Sequence, residues 1–165
     1  MQIRTISVAV SASRDSVFNF LADIENLPEW ATEFCERIEL RRDGWWAYTT
    51  QGEMVVASDT DDRTGVIDLR VGPSADELGL FPMRVFSLSP NRTLVSFTFI
   101  QSPELSDERY ENRYHSLVVE LWGLIRRFGG GNLYVPGAVP QLSALGVKPI
   151  LLPVRNSCHH GIEFV

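Results

Sequence analysis

The chain contains only two cysteines, Cys35 and Cys158, and they lie far apart in the sequence. They lack the close spacing of zinc-binding cysteine pairs, and two distant cysteines are too few for a disulfide scaffold. We therefore expect reduced thiols, with a disulfide between Cys35 and Cys158 as the alternative, and we expect no metal site and no cofactor.

Long apolar runs are also missing. No stretch approaches the roughly 20 consecutive apolar residues that cross a bilayer. The N-terminus lacks the basic, apolar and small-residue order of a signal peptide. We therefore expect no membrane span and a cytoplasmic protein.

Positive charge is scarce as well. Fifteen basic residues stand against 21 acidic ones, which gives a net charge of −6 and a pI near 5.0. The longest basic runs, Arg41-Arg42 and Arg126-Arg127, are pairs only. Because nucleic-acid binding needs clustered cations that displace phosphate counterions, we expect no nucleic-acid partner.

What the chain does contain is enough apolar material for one ordinary domain, with 44% hydrophobic and 22% charged residues among 165. The opening IRTISVAV alternates, and Arg4, Ile6, Val8 and Val10 share one face, which is typical of a half-buried strand. Ser11 or Ser13 can then cap a helix that carries VFNFLA. A second, shorter helix is expected to carry Trp30.

The middle of the chain has the pattern of an antiparallel meander. Asp43-Gly44, Gln51-Gly52 and Pro90-Asn91 are turn dipeptides. The predicted strands between the turns are residues 34–41, WWAYTT, EMVVASDT, TGVIDLRV, MRVFSLS and TLVSFTFIQ.

A long amphipathic helix follows, capped by Ser106 or Asp107 and stopped by Gly129. Its apolar residues recur at steps of three and four, which predicts one continuous face that lies across a sheet. The residues expected to face water are Asn112, Glu120, Arg126 and Arg127.

This order of elements resembles the START/SRPBCC superfamily, and in particular its bacterial polyketide cyclase/dehydrase-like members. The resemblance rests on VFNFLADIENLPEWATEF, TGVIDLRV, ELGLFPMRVFSLSPNRTLVSFTFIQSP and LSDERYENRYHSLVVELWGLIRRF, and it covers residues 1–128. It implies an α+β helix-grip fold, in which a curved antiparallel sheet of about six or seven strands wraps around a long C-terminal helix. Two short helices follow the first strand.

Residues 129–165 depart from the resembled pattern. The segment has only three charged residues and four prolines, which block long regular structure. Its apolar stretches would be unfavourable in water, so we expect this tail to dock on the body or on a neighbouring subunit, with a homodimer as one outcome. Ser157-Cys158-His159-His160 contains metal-ligand types, but adjacent histidines diverge on an extended chain, and we expect no metal there.

In the resembled fold, ligand space lies between the sheet and the long helix. The predicted ligand-binding residues are Trp30, Trp46, Tyr48, Met54, Met83, Phe97, Phe99, Tyr114, Val118 and Trp122. Each is equally suited to ordinary core packing. A shift of one residue in a strand's phase exchanges its two faces.

Polar groups inside such a space could orient a ligand or move protons. His115 and Arg84 are the predicted catalytic residues, because imidazole titrates near neutrality and a guanidinium can bind an oxyanion. Asp68 and Glu53 are weaker candidates for a general base. Both His115 and Arg84 also fit solvated surface positions.

Three functions from different classes follow. The first is binding or carriage of a small hydrophobic molecule. The second is a cyclase, aromatase or dehydratase-like enzyme acting on a polyketide-type or other apolar substrate. The third is an interaction protein whose core is filled by its own side chains.

Overall fold

The computed structural model describes residues 1–130, 132–136 and 150–152. Its strands are β1 (Ile3–Val10), β2 (Arg37–Arg41), β3 (Gly44–Thr49), β4 (Gly52–Asp61), β5 (Val66–Gly72), β6 (Gly79–Ser89), β7 (Arg92–Ile100), β8 (Asn132–Pro136) and β9 (Ile150–Leu152). Its helices are α1 (Arg14–Ala22), a 3₁₀ turn (Ile24–Asn26), α2 (Leu27–Trp30) and α3 (Asp107–Phe128). No helix in these ranges is long and apolar enough to cross a bilayer.

All nine described strands form one open sheet in the order β2-β3-β4-β5-β6-β7-β1-β8-β9. Neighbours are antiparallel except β8 and β9, which run parallel. The helix-grip prediction is confirmed, and β1 to β7 match the strands expected from the turn pattern. The two further strands come after α3, where NLYV is a good strand former despite its proline-rich surroundings.

The two short helices form where the sequence predicts. The Ser13 side chain accepts a hydrogen bond from the Ser16 amide at 3.3 Å and so caps α1. The buried residues of α1 are Val17, Phe18, Phe20 and Leu21. Pro28 lies in the first turn of α2, where a missing N–H costs nothing.

Helix α3 is capped by Ser106, whose side chain accepts from the Arg109 amide, and it ends at Gly129 with φ +90°. Its buried stripe packs chiefly across β1 and also touches α2 and β8. The side of the sheet that α3 covers is called the inner face below, and the opposite side is the outer face.

Register fixes which residues reach the inner face. Ile67, Met83, Phe97 and Ile6 are direct partners across β5, β6, β7 and β1, and none is more than 4% exposed. Strand side chains alternate, so every second residue from these positions also faces inward. The core therefore lies between this face and α3.

Candidate functional site

Five aromatic side chains form a continuous row on the inner face. We call Phe81, Phe97, Phe99, Tyr110 and Tyr114 the aromatic row. Phe81 lies 6.4 Å from Phe97 and 6.2 Å from Phe99, measured between ring centroids. Phe99 stacks on Tyr110 at 4.7 Å, and Tyr110 lies 6.5 Å from Tyr114. The row therefore links β6 and β7 to the first half of α3.

Arg4 closes one end of the aromatic row. Its guanidinium carbon lies 4.8 Å from the centre of the Tyr114 ring and 5.4 Å from that of Tyr110. The same guanidinium donates to both carboxylate oxygens of Glu111, one of them at 2.8 Å. That hydrogen bonding raises the pKa of Arg4, so a compensated cation is fixed beside the row.

The two tyrosine hydroxyls of the row differ in their partners. Tyr110 donates to the Phe99 carbonyl at 3.1 Å. The Tyr114 hydroxyl is buried and has no hydrogen-bond partner among the described residues, and the same is true of Ser58 Oγ on β4. Burial raises the pKa of Tyr114 to about 12, so the hydroxyl stays protonated at neutral pH and remains a donor. An unmet buried hydroxyl costs roughly 1–3 kcal/mol, which a bound acceptor could recover.

The inner face is not equally closed along its width. The inward residues of β7 are all buried, whereas Trp45, Met54, Val71 and Phe81 are only half-buried. These four face inward, because Trp45 pairs with buried Val56 and the alternation continues from there. Solvent therefore reaches the inner face near β3 to β5.

The structure places the predicted ligand residues in four settings. Met83, Phe97, Phe99, Tyr114, Val118 and Trp30 lie in one core cluster, and Met54 is on the half-buried part of the inner face. Trp122 is half-buried on the side of α3 that also carries Glu111. The aromatic row thus unites Phe97, Phe99 and Tyr114 with two residues that were not nominated, Phe81 and Tyr110.

Trp46 and Tyr48 lie on the outer face instead, because Ala47 between them takes the buried position. Arg37 lies 3.7 Å from the Tyr48 ring centre and Arg41 lies 4.7 Å from that of Trp46. We therefore leave both aromatic residues out of the ligand site proposed below.

Glu53 belongs to the same outer network and accepts from Arg41 at 2.9 Å. Hydrogen bonding to Arg41 lowers the pKa of Glu53, so this carboxylate is stabilised in its charged form. A carboxylate held in that form is a weaker base, which does not favour a general-base role.

The two predicted catalytic residues are not brought together. Arg84 lies on the outer face of β6 and forms an ion pair with Asp68 of β5. His115 is half-buried on α3, with its ring centre 6.3 Å from that of Tyr114. Because the sheet separates Arg84 from α3, the two side chains cannot act on one bound molecule as they stand.

The prediction that Glu120 faces water is wrong. Its side chain belongs to a residue only 6% exposed, and its Oε1 accepts hydrogen bonds from the Glu33 and Phe34 amides, each at 2.9 Å. Burial raises the pKa of this carboxyl to about 8. The signal was present in the sequence, since Glu120 lies three residues after Leu117 and four before Leu124.

Arg4 was also missed as a site residue, although it alternates in phase with Ile6, Val8 and Val10 of the buried face. Cys35 is buried, which raises the pKa of its thiol to about 11. Cys158 and the neighbouring histidines lie outside the described residues. Within the described ranges, no cluster of three or more His, Cys, Asp or Glu side chains is arranged to hold a metal ion.

An open, mainly antiparallel sheet that grips one long C-terminal helix, with two short helices between its first two strands, defines the helix-grip fold of START/SRPBCC proteins. The resemblance predicted from the sequence is confirmed at the level of the fold. Solved structures of this fold with different functions match the chain.

One is the ZhuI aromatase/cyclase from Streptomyces sp. R1128, with 19% identity, a TM-score of 0.54 and coverage of 76% of this chain and 90% of that one. Another is a START superfamily protein from Mycobacterium smegmatis, at 16% identity and a TM-score of 0.51, covering 76% and 97%. An HSP90 activator from Plasmodium falciparum matches at 12% identity and a TM-score of 0.58, covering 81% and 99%. No protein-family model and no curated protein matches the chain.

Proposed function

We propose that the protein binds a small hydrophobic molecule between the inner face of the sheet and α3. The observation that carries this proposal is the Tyr114 hydroxyl, a buried donor at the end of the aromatic row with no partner in the described chain. Buried polar groups are normally hydrogen-bonded, so an orphaned donor in an apolar setting points to an absent acceptor. The START superfamily and aromatase/cyclase neighbours support a small-molecule role for this fold.

The chemistry of the row describes the ligand. Flat aromatic surfaces favour a planar or largely apolar molecule, and one donor favours a ligand with one carbonyl, ether or hydroxyl oxygen. Arg4 is already neutralised by Glu111, so it offers little attraction to an anionic group. The proposed ligand is therefore uncharged, and it enters from the half-buried side near Trp45 and Met54.

An enzyme is the second candidate, because an aromatase/cyclase shares the fold. Cyclase chemistry needs a dry cavity, one base and one oxyanion donor. The positions of His115 and Arg84 supply no such pair, which favours binding over catalysis. Loss of turnover with unchanged ligand affinity in His115→Ala would reverse that preference.

Exposed apolar side chains on β6 are the observation that favours the third function, an interaction protein. Phe86 and Leu88, near the end of β6, are 45% and 53% exposed. Two neighbouring apolar side chains make a small patch, which is common on ordinary protein surfaces. This supports an interaction role less strongly than the orphaned donor supports binding.

Native mass spectrometry of the purified protein, followed by denaturing extraction, tests the proposal directly. A retained apolar molecule would identify the ligand class, and the same spectrum gives the subunit number. In parallel, the protein is titrated with 6-propionyl-2-dimethylaminonaphthalene, an uncharged fluorophore whose ketone can accept a hydrogen bond. We expect a blue-shifted emission that saturates.

Tyr114→Phe provides the matched variant, and Tyr48→Phe on the outer face provides the control. Losing one hydrogen bond of about 1 kcal/mol should weaken fluorophore binding roughly fivefold in Tyr114→Phe and leave Tyr48→Phe unchanged. The proposal is contradicted if the purified protein carries no extracted molecule and also binds no fluorophore. Equal fluorophore binding by Tyr114→Phe and Tyr48→Phe contradicts it as well.

A further inference from the structure

A groove of about 330 Å³ lies where α2 meets the C-terminal half of α3. Trp30 and Glu29 line it from α2, and Glu120, Gly123, Arg126 and Arg127 line it from α3. This groove is separate from the aromatic row, which meets α3 at Tyr110 and Tyr114.

Gly123 is the first residue that suggests a binding role for the groove. It lies inside α3, where glycine is less favourable than alanine because it loses more backbone freedom. Packing does not require it, since an added Cβ would meet only Arg126 Nη2, at 3.8 Å. The missing side chain instead leaves the floor of the groove open.

Two buried polar groups form the wall. Trp30 is 4% exposed, and its indole N–H has no acceptor in the described part of the chain. Glu120 uses Oε1 for the Glu33 and Phe34 amides, whereas Oε2 makes no hydrogen bond to any described residue. The Trp30 N–H is a buried donor without an acceptor and therefore points to a partner, whereas Glu120 Oε2 is not fully covered and is free to contact a molecule in the groove.

The charges decide the class of that partner. Arg127 donates to Glu29 at 2.7 Å and lies 3.7 Å from the Phe20 ring centre, so its charge is compensated. Arg126 is exposed and has no ion-pair partner among the described residues. With Arg127 paired to Glu29, and with burial raising the pKa of Glu120 to about 8, Arg126 is the uncompensated charge among the described residues that line the groove.

We propose that this groove binds a small organic carboxylate, held by Arg126 and by the Trp30 N–H. The carboxylate accepts from the guanidinium and from the indole N–H, the protonated Glu120 carboxyl adds a third donor, and the organic part of the ligand occupies the space over Gly123. Trp30 Nε1 is covered by the surrounding chain, so the proposal includes a rotation of the indole that brings its N–H to the groove. This site goes beyond the proposed binding of an uncharged molecule inside the fold.

Ionisation of Glu120 should control the affinity. Its charged neighbours are Glu33 on the loop after α2, Glu29 on α2, and Arg126 and Arg127 on α3, and the Cys35 thiol lies behind it. As pH rises through about 8, the carboxyl loses its donor proton and gains a negative charge. A bound carboxylate is then repelled, so binding weakens with rising pH.

The test uses ¹⁹F NMR of 4-fluorobenzoate with the full-length protein, and 4-fluorobenzylamine as the cationic counterpart of the same size. At pH 6.5 we expect saturable broadening and a shift for 4-fluorobenzoate and none for the amine. Arg126→Gln should weaken binding about fivefold, and Gly123→Leu should abolish it by filling the floor. The charge-matched control is Arg42→Gln. Arg42 is exposed in the turn between β2 and β3 and does not line the groove, so this variant should bind like the wild type.

A titration at pH 9.5 completes the design. Wild-type affinity should fall, whereas Glu120→Gln should keep the same affinity at both pH values, because an amide still accepts from the loop but does not ionise. Absence of 4-fluorobenzoate binding overturns the proposal. So does binding that survives both Arg126→Gln and Gly123→Leu, or preference for the amine. Arg126→Gln changes an exposed side chain, so it remains informative if Gly123→Leu fails to fold.

Discussion

Glu120 is the side chain that ties the loop after α2 to the long helix. One carboxylate oxygen accepts hydrogen bonds from the Glu33 and Phe34 amides, and it reinforces a turn that is also closed by backbone hydrogen bonds to the Ala31 carbonyl. Hydrogen bonds to the charged form lower the pKa of the carboxyl and burial raises it, and burial is the larger effect. The Glu120 carboxyl thus stabilises the loop through its hydrogen bonds, but its ionised form is unfavourable in this buried position.

The free energy of unfolding should therefore depend on pH through Glu120. Its pKa is about 8 in the folded protein and near the ordinary 4.5 in the unfolded chain. Between these values the folded state binds more protons, so stability is greatest below about pH 4.5 for this group and falls as pH rises to about 8. Urea unfolding of wild type and Glu120→Gln measures this contribution, and the difference in stability should grow in favour of the variant over that window. A constant difference from pH 5 to pH 8.5 would contradict it.

For single residues, the sequence predicts which side chains belong to the core better than it predicts which face of the sheet a side chain lies on. Met83, Phe97, Phe99, Tyr114 and Val118 are predicted from the expected inward strand residues and helix face of the resembled fold, and they do lie in the core. The same prediction is one residue out of phase on β3, where Ala47 faces the core and Trp46 and Tyr48 face outward. Size does not determine direction when an ion-pair and cation–π network can stabilise an aromatic ring on the outer face.

Two glycines show how differently the same residue acts in different elements. Gly65, in the turn before β5, has φ +76°, and an added Cβ would lie 2.2 Å from the Val85 carbonyl oxygen. Gly123 has helical backbone geometry and open space around it. Glycine is required by the turn and is not required by the helix.

Alanine substitution should therefore shift stability in opposite directions at these two positions. Gly65→Ala should lose at least about 2 kcal/mol, because it adds both backbone strain and a steric clash. Gly123→Ala should gain about 1 kcal/mol from helix propensity. Thermal and urea unfolding of the two variants beside the wild type checks this, and destabilisation by Gly123→Ala would show that its side of the helix is more crowded than described.

Elements whose limits have chemical markers were predictable. Ser106 and Gly129 gave the ends of α3, and the turn dipeptides separated the strands of the meander. Strand β8 was not expected, because proline and glycine dominate the segment after α3 and hide a stretch of only five residues. The strand-forming NLYV becomes a strand where it pairs with the distant β1, and that pairing is not visible in the local sequence.

For the molecule as a whole, β8 extends the sheet beyond its first strand. Ser7, Val8 and Ala9 pair with Tyr134, Leu133 and Asn132, and Leu133 is only 1% exposed. The backbone of β1 is thereby hydrogen-bonded on both sides. Docking of the rest of residues 129–165 remains a prediction.

Leu133→Ala should cost about 2–4 kcal/mol, as expected for a leucine removed from a packed core. The matched control is Leu40→Ala on β2, where the leucine is 63% exposed and the change should stay within about 0.5 kcal/mol. Chemical denaturation of the full-length variants gives both values. Equal effects at the two positions would mean that the segment after α3 contributes little to the core.

The position of β1 in the strand order has a consequence for how the protein is made. Strand β1 is paired with residues 93–100 on one side and 132–134 on the other. Both partners lie far along the chain from β1, and such long-range pairing is slow because a large loop must close first. During most of translation, IRTISVAV is therefore an apolar strand with both edges unpaired, which is when a chaperone would be of most use to this chain.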